Sequence, residues 1–515
     1  MFLNNKKKID NRLRIERLQL SETRSQSSAA VSGHLTGYKT KRYRTYVLLL
    51  LLLVYTLSGA DRSIMSVLAQ PIIATFHLTD SQWGLLNGPP FAMFYALMGL
   101  PLAAWADRSK RVTIMAFCIL VWSIATALCG IASGFLMLLV FRLAVATGEA
   151  GSGPISNSLI GDYFIPMERP KVLSIWALGV PAGIVVSNLL GGAIMGLNGV
   201  AAGRAGGGMG LAHLLSGHWG AGEGWRIAFV VVGAPGLLVS LLVYFSVKEP
   251  PRGYSDPPTT TPQAALSFSS SFKEILSKSS YGWMTLGSFL SGIVLYGVIS
   301  FQAPMLQRGH GLSVQQAALQ FGLPIAVASG LGSLFCGWLI EKLTPRYFAA
   351  VAWMPAIGAV VAVPLYQIAF HSTNLGQVLG FWLPATFCLY FTVASPFAIG
   401  QGVVSSRSRA TAIAILLFIV SGLGGSAGPY LLGMASDYFA LSYLHASDVA
   451  ANLNPHLCKS QPALIHAQVQ ACQQASSRGL RDAISLNVCA LIPAAFCFVM
   501  CGFGLKKDYV LVLRE

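Results

Sequence analysis

Long apolar runs alternate with short polar segments along most of this chain. The runs lie at roughly Tyr46–Leu68, Gly84–Ala106, Val112–Ala132, Phe135–Leu159, Val172–Met195 and Ile227–Val247, then at Tyr281–Pro304, Ala317–Ile340, Phe348–Ile368, Val378–Ile399, Ala410–Met434 and Ile484–Gly504. At 1.5 Å of rise per residue, each can cross a hydrocarbon core of about 30 Å as a helix. The pattern therefore predicts an all-α membrane protein of twelve transmembrane helices in two pseudo-symmetric six-helix halves. The two halves echo each other. Span two ends in ADRSKR and span eight in EKLTPR, while LGVPAGIVVSNLLGG in span five answers SGLGGSAGPYLLG in span eleven. A Pro-, Ser- and Thr-rich stretch between spans six and seven reads as a linker. The expected organisation is a basic arm over 1–44, a first bundle over 45–247, the linker over 248–280, a second bundle over 281–504 and a tail over 505–515.

Composition agrees with a lipid environment. Hydrophobic residues make up 54% of the chain and charged ones 10%, against about 25% charged in a typical soluble domain. The net charge of +16 would suit a nucleic-acid partner, but the cations sit in the segments between apolar runs, so none is expected. If the N-terminus is cytoplasmic, the inner segments hold 27 Lys and Arg and the outer ones six. That bias predicts both termini in the cytoplasm, most simply in a bacterial inner membrane, with basic residues of the arm facing anionic lipid. No cleavable signal peptide is visible.

Seven of the nine cysteines fall in apolar runs; Cys458 and Cys472 share a polar outer loop, Asp437 to Arg481, and could pair if that loop faces an oxidising compartment. His213 and His218 lie in a Gly-rich outer loop with no acidic or Cys companions, so no metal and no cofactor is expected. No phosphate-binding Gly-Lys-Ser/Thr loop and no nucleophile–base arrangement appears, which argues against an enzyme and against direct drive by ATP.

Four charges remain inside the spans: Asp61 and Arg62 in the first, Arg142 and Glu149 in the fourth. A charge in mid-span costs several kcal/mol unless it is paired or lines a wet cavity. From the rise per residue, Asp61 lies ~22 Å from the inner face and Arg142 ~10 Å below the outer one. These depths nearly coincide, so Asp61 is expected to meet Arg142. Glu149 lies deeper, with no matched cation in its own span. A carboxyl left under-paired in a low dielectric favours its protonated form, as a proton carrier must. The reading is that these four residues form the working core of a membrane transporter, in which Glu149 carries a proton and Arg62 and Arg142 attract an anionic group.

In the ADRSKR loop, Asp107 is placed to cap the third span, and Arg108 and Arg111 to latch helix ends in one conformation. Tyr296, Gln302 and Tyr390 are candidate cavity-lining residues. Gly179, Pro181 and Gly183, with Gly424, Gly425, Gly428 and Pro429, suit close helix contact.

The twelve spans, the long middle linker and the ADRSKR loop resemble the major facilitator superfamily. The pair at Asp61–Arg62, the R-x6-GEA pattern of Arg142, Gly148, Glu149 and Ala150, the GDYF and ERPKVLSIWALGVPAG stretches, and KEPPRG after span six resemble its spinster-like branch. The usual superfamily loop has Gly where Ala103 stands and a basic residue where Val112 stands. The resemblance implies alternating access by two rocking halves and proton coupling through Asp61 and Glu149.

The expected function is a proton-coupled symporter, a monomer with a small-molecule substrate and protons as partners. Uptake of an organic acid, aromatic acids among the candidates, is the first reading. Export or flipping of a lysolipid, sphingolipid-like or drug-like compound is the second. A non-transporting membrane receptor is the third.

Overall fold

The computed structural model describes residues 37–508 apart from 166, 204–222, 256–267, 345, 405–407, 448, 450–451, 454–457 and 459–465. Residues 1–36 of the arm, the last seven residues, His213 and His218 thus lie outside the described residues.

Twelve helical spans are long and apolar enough to cross a membrane: Lys41–Val67, Asp80–Ala106, Arg111–Cys129, Phe135–Tyr163, Lys171–Gly196, Gly224–Ser246, Ser279–His310, Val314–Leu343, Ala350–His371, Leu375–Gly400, Thr411–His445 and His466–Asp508. Their outer surface is as apolar as their interior. Leu49, Leu238, Phe245 and Phe503 are exposed, while Trp83, Trp122, Trp225 and Trp382 are buried. A helix that is hydrophobic all round is what a lipid solvent requires.

Local signals set the helix ends. Thr40 caps span one by accepting from the Tyr43 N–H. Thr79 and Gln82 form a reciprocal capping box at the head of span two. Among the described residues five spans are interrupted: span two at Gly88–Pro89, span four after Glu149, span five at Leu178, span ten at Tyr390 and span twelve at Ala490. Spans eight and eleven each hold a π-helical stretch, Ala317–Gly322 and Phe418–Gly424. Such bulges often mark functional segments.

Two boundaries differ from the hydropathy reading. Span one starts at Lys41, and Arg44 belongs to it rather than to a loose arm, buried and paired with Glu168 at 2.7 Å. The polar outer loop is largely helix: span eleven runs on to His445 and span twelve begins at His466. Both extensions are polar, so a hydrophobicity window stops short of them although the backbone hydrogen bonding continues. Cys458 and Cys472 form a disulfide that ties the remaining loop to span twelve.

Spans one to six and seven to twelve make two bundles. In the first, span one packs on span five and span three on span six. In the second, span seven packs on spans eleven and twelve, and span nine on span ten. The bundles meet through spans two and eleven, five and eight, and one and seven.

An even number of spans puts both ends of the chain on one side, here called the terminal face. The bundles close against each other on the opposite face. A Cβ at Gly88 would lie 2.6 Å from the Ser426 carbonyl oxygen, and one at Gly84 would run into that of Pro429. These glycines let span two lie directly on the backbone of span eleven.

A side chain at Gly88 should therefore keep the halves apart on that face. In Gly88→Val, the distance between spin labels on spans two and eleven there should exceed that of the wild type. An unchanged distance would show that this backbone contact does not limit closure.

Candidate functional site

Span four carries two of the intramembrane charges on the helix Phe135–Glu149. It can approach span three because residue 148 is Gly: a Cβ there would press within 2.7 Å of the Trp122 backbone nitrogen. The approach buries Glu149 completely. Its Oε2 accepts from Arg62 Nε at 2.5 Å, and its Oε1 has no hydrogen-bond partner among the described residues. The Arg62 side chain is 38% exposed, so one partner of the pair is sealed and the other is accessible.

The four charges are thus brought together, but with a different pairing from the one expected. Glu149, expected to be under-paired, holds Arg62. Asp61 is the carboxylate without a cation: its Oδ2 accepts from Thr126 Oγ1 at 3.1 Å, and its Oδ1 is unpartnered among the described residues. Among the described residues the hydrogen bond of Arg142 goes to the Asp61 backbone carbonyl, at 3.5 Å, and not to its carboxylate. Axial arithmetic considered depth alone and ignored azimuth. Successive residues on a helix point about 100° apart, so Arg62 faces span four while Asp61 faces span three.

Span two supplies two residues that the sequence reading missed. The Arg62 guanidinium lies 4.5 Å from the Tyr95 ring centroid and 5.9 Å from that of Phe91. Arg142 lies 4.5 Å from the Phe91 ring. The i, i+4 spacing of Phe91 and Tyr95, just beyond a helix break, was the available signal.

The second half contributes neutral polar groups. A small cavity of about 40 Å3 between the bundles is lined by Ser66 of span one and Asn188 of span five, and by Gln302, Tyr366, Trp382 and Tyr390 of spans seven, nine and ten. Gln302 and Tyr390 therefore lie where a cavity was expected. Tyr296 instead bonds Ser421 of span eleven at 3.2 Å.

At the terminal face, Arg111 is fully buried. It binds Asp162, Glu249 at 2.7 Å, Ser158 Oγ at 2.9 Å and the Pro250 carbonyl at 2.9 Å. It joins the ends of spans three, four and six. Asp107 does not stand at the N-cap position of span three. It lies within the helix Pro89–Arg108, its side chain outside the described residues, and Lys110 holds the N-cap position without a side-chain bond. The capping carboxylate is Glu249, whose Oε2 accepts from the Val112 N–H at 2.9 Å. A carboxylate far along the sequence thus replaces the local one. Arg108 is exposed, on the last turn of its helix.

At the opposite face, Arg308 of span seven holds Asp80 of span two in two bonds of 2.7 Å, with both side chains buried. Gln70 and Ser476 also accept from Arg308, and Ser436 of span eleven donates to Asp80. Asp437 accepts from the Asp80 and Ser81 N–H groups at the start of span two. A cavity of about 660 Å3 beside this cluster is also lined by the disulfide cysteines. Sequence reading counted Arg308 only as an outer charge, because its partner stands 228 residues away.

The profile of the Major Facilitator Superfamily matches residues 51–429. A solved structure of a bacterial homologue of the human lysosomal transporter spinster, inward-facing and unoccupied, is 43% identical. It covers 92% of this chain and 99% of that one, with a TM-score of 0.83. Among curated proteins, an efflux pump of Mycolicibacterium smegmatis is 29% identical over 75% of this chain and 83% of its own. The cis,cis-muconate transport protein of Acinetobacter baylyi is 26% identical over 76% and 91%.

Removing one side of the Arg308–Asp80 pair leaves a buried charge alone, which costs about 3–5 kcal/mol, whereas removing both leaves none. Arg308→Ala and Asp80→Ala should each lower the thermal unfolding midpoint in detergent. The double variant should lose less than the two losses added. Strict additivity would show that the pair is not energetically coupled.

Proposed function

The chain belongs to the Major Facilitator Superfamily, in its spinster-like branch, and we propose that it couples protons to the movement of a small organic anion. A membrane transporter of this family is not an enzyme. One observation carries the coupling: the pair between sealed Glu149 and accessible Arg62. An incoming anion can take over Arg62 only if Glu149 ceases to need it, and a buried carboxylate does so by accepting a proton. Anion and proton then enter together, which is symport. Asp61, which accepts from Thr126, is the second proton site in this reading. Arg142, within reach of the Asp61 carbonyl, adds a second cation for the same anion.

The terminal face is the cytoplasmic one in this reading, from the excess of Lys and Arg in its segments. The Cys458–Cys472 bridge, on the other side, then meets an oxidising compartment, as a bacterial periplasm is. The Asp80–Arg308 cluster closes that outer side, while the ion pairs Arg44–Glu168, Arg111–Asp162 and Arg111–Glu249 stay within the first half. The structure is accordingly read as inward-facing, like its solved neighbour.

Uptake of an organic acid is the first substrate reading, supported by two cations beside neutral polar groups and by the muconate carrier's likeness. Export of an amphipathic compound is the second, supported by the efflux pump's likeness.

The test is proton movement in proteoliposomes carrying wild type or Glu149→Gln, against aromatic acids, sugar acids and lysolipids. One class should drive proton flux in the wild type, and the variant should lose that flux. Coupled flux that survives in Glu149→Gln would make Glu149 structural.

A further inference from the structure

The two intramembrane arginines share a surface that the ion-pair argument leaves unused. Phe91 and Tyr95 are one helical turn apart on span two, with their rings 6.4 Å apart and nearly parallel. Arg62 lies 4.5 Å from the Tyr95 ring and Arg142 4.5 Å from the Phe91 ring. Phe91 also lies within 5.9 Å of Arg62. The hydrogen-bonding atoms Arg62 Nη2 and Arg142 Nε have no partner among the described residues. Ring faces satisfy part of a guanidinium's charge without consuming its N–H donors. They therefore hold a cation in place without occupying its N–H donors, which are buried here.

We infer that Phe91 and Tyr95 are positioning residues: an aromatic ledge that keeps the Arg62 and Arg142 guanidiniums aimed at an incoming carboxylate or phosphate once Glu149 has lost its hold on Arg62. The inference rests on the proton-coupling reading above. The ledge counts most in the state where Arg62 has no carboxylate, because the ring quadrupole then faces an uncompensated cation. It thus stabilises the anion-ready state. The ledge also stands on the helix that closes the opposite face, so loss of the arginines from it bears directly on span two. The other titratable or charged groups around the pair are Asp61 and Tyr55 on span one, Cys129 on span three and Tyr296 on span seven.

The test uses protons alone as the ligand. Spin labels on spans two and eleven at the opposite face report opening as pH is varied in nanodiscs. Phenylalanine at position 91 is replaced by its mono-, di- and trifluorinated forms, which drain the ring face of negative potential at nearly constant size. The pH midpoint should fall stepwise with fluorination, by roughly half a unit or more over the series. Phe91→Trp should keep or raise the midpoint, and Phe91→Leu should lower it as far as the most fluorinated ring. A wild type that moves with pH while the fluorinated series stays at its midpoint overturns the ledge and leaves proton coupling standing. A wild type whose labels do not respond to pH overturns both.

Discussion

A carboxylate sealed in the middle of a membrane needs a partner at all times, and Glu149 has one cation. The rest of the site follows from that constraint. Glu149 is fully buried because Gly148 lets span four lie on span three, and the helix breaks immediately after it. Arg62 comes from span one and keeps more than a third of its side chain open. Such a pair is weak evidence for stability, since apolar residues of the same volume would hold the helices at least as well. Its use, in the function proposed above, is as a linkage. Whatever removes Arg62 must supply a proton or another cation, and the access is on the arginine's side.

Span two ties this linkage to the shape of the molecule. Its first segment, Asp80–Asn87, ends at Gly88, and a second begins at Pro89. The first segment carries Asp80 to Arg308, and the Gly84 and Gly88 backbone to span eleven. The second carries Phe91 and Tyr95 to the arginines. A break without a continuous hydrogen-bond ladder lets the two segments reorient relative to each other. Span two therefore touches both the intramembrane charges and the contact that separates the two faces.

How much of this was legible in the sequence depends on distance along the chain. Hydropathy located all twelve spans, because each is a local property of some twenty residues. It also singled out Asp61, Arg62, Arg142 and Glu149, because a charge in an apolar run stands out. The pairing among them was not legible. Arg62 and Asp61 are neighbours in sequence but diverge around the helix, and depth alone cannot choose between them. Asp80–Arg308 and Arg111–Glu249 were hidden for a further reason: their partners lie 228 and 138 residues apart, at span ends where charges are ordinary. The polar extension of span twelve from His466 failed for the opposite cause, since it leaves no apolar trace.

The two halves divide the chemistry unequally although they echo each other in sequence. The first holds the four intramembrane charges and their aromatic neighbours; the second presents Gln302, Tyr366, Trp382 and Tyr390 to the shared cavity. The second half's share of that cavity wall is thus neutral and partly aromatic. The inequality also has an energetic sense. With the titrating groups confined to one rigid bundle, their mutual distances need not change as the halves rock. In the proposed mechanism a proton accepted in one orientation would be offered to the other side by the movement of the whole bundle, with no buried pair rebuilt across the interface.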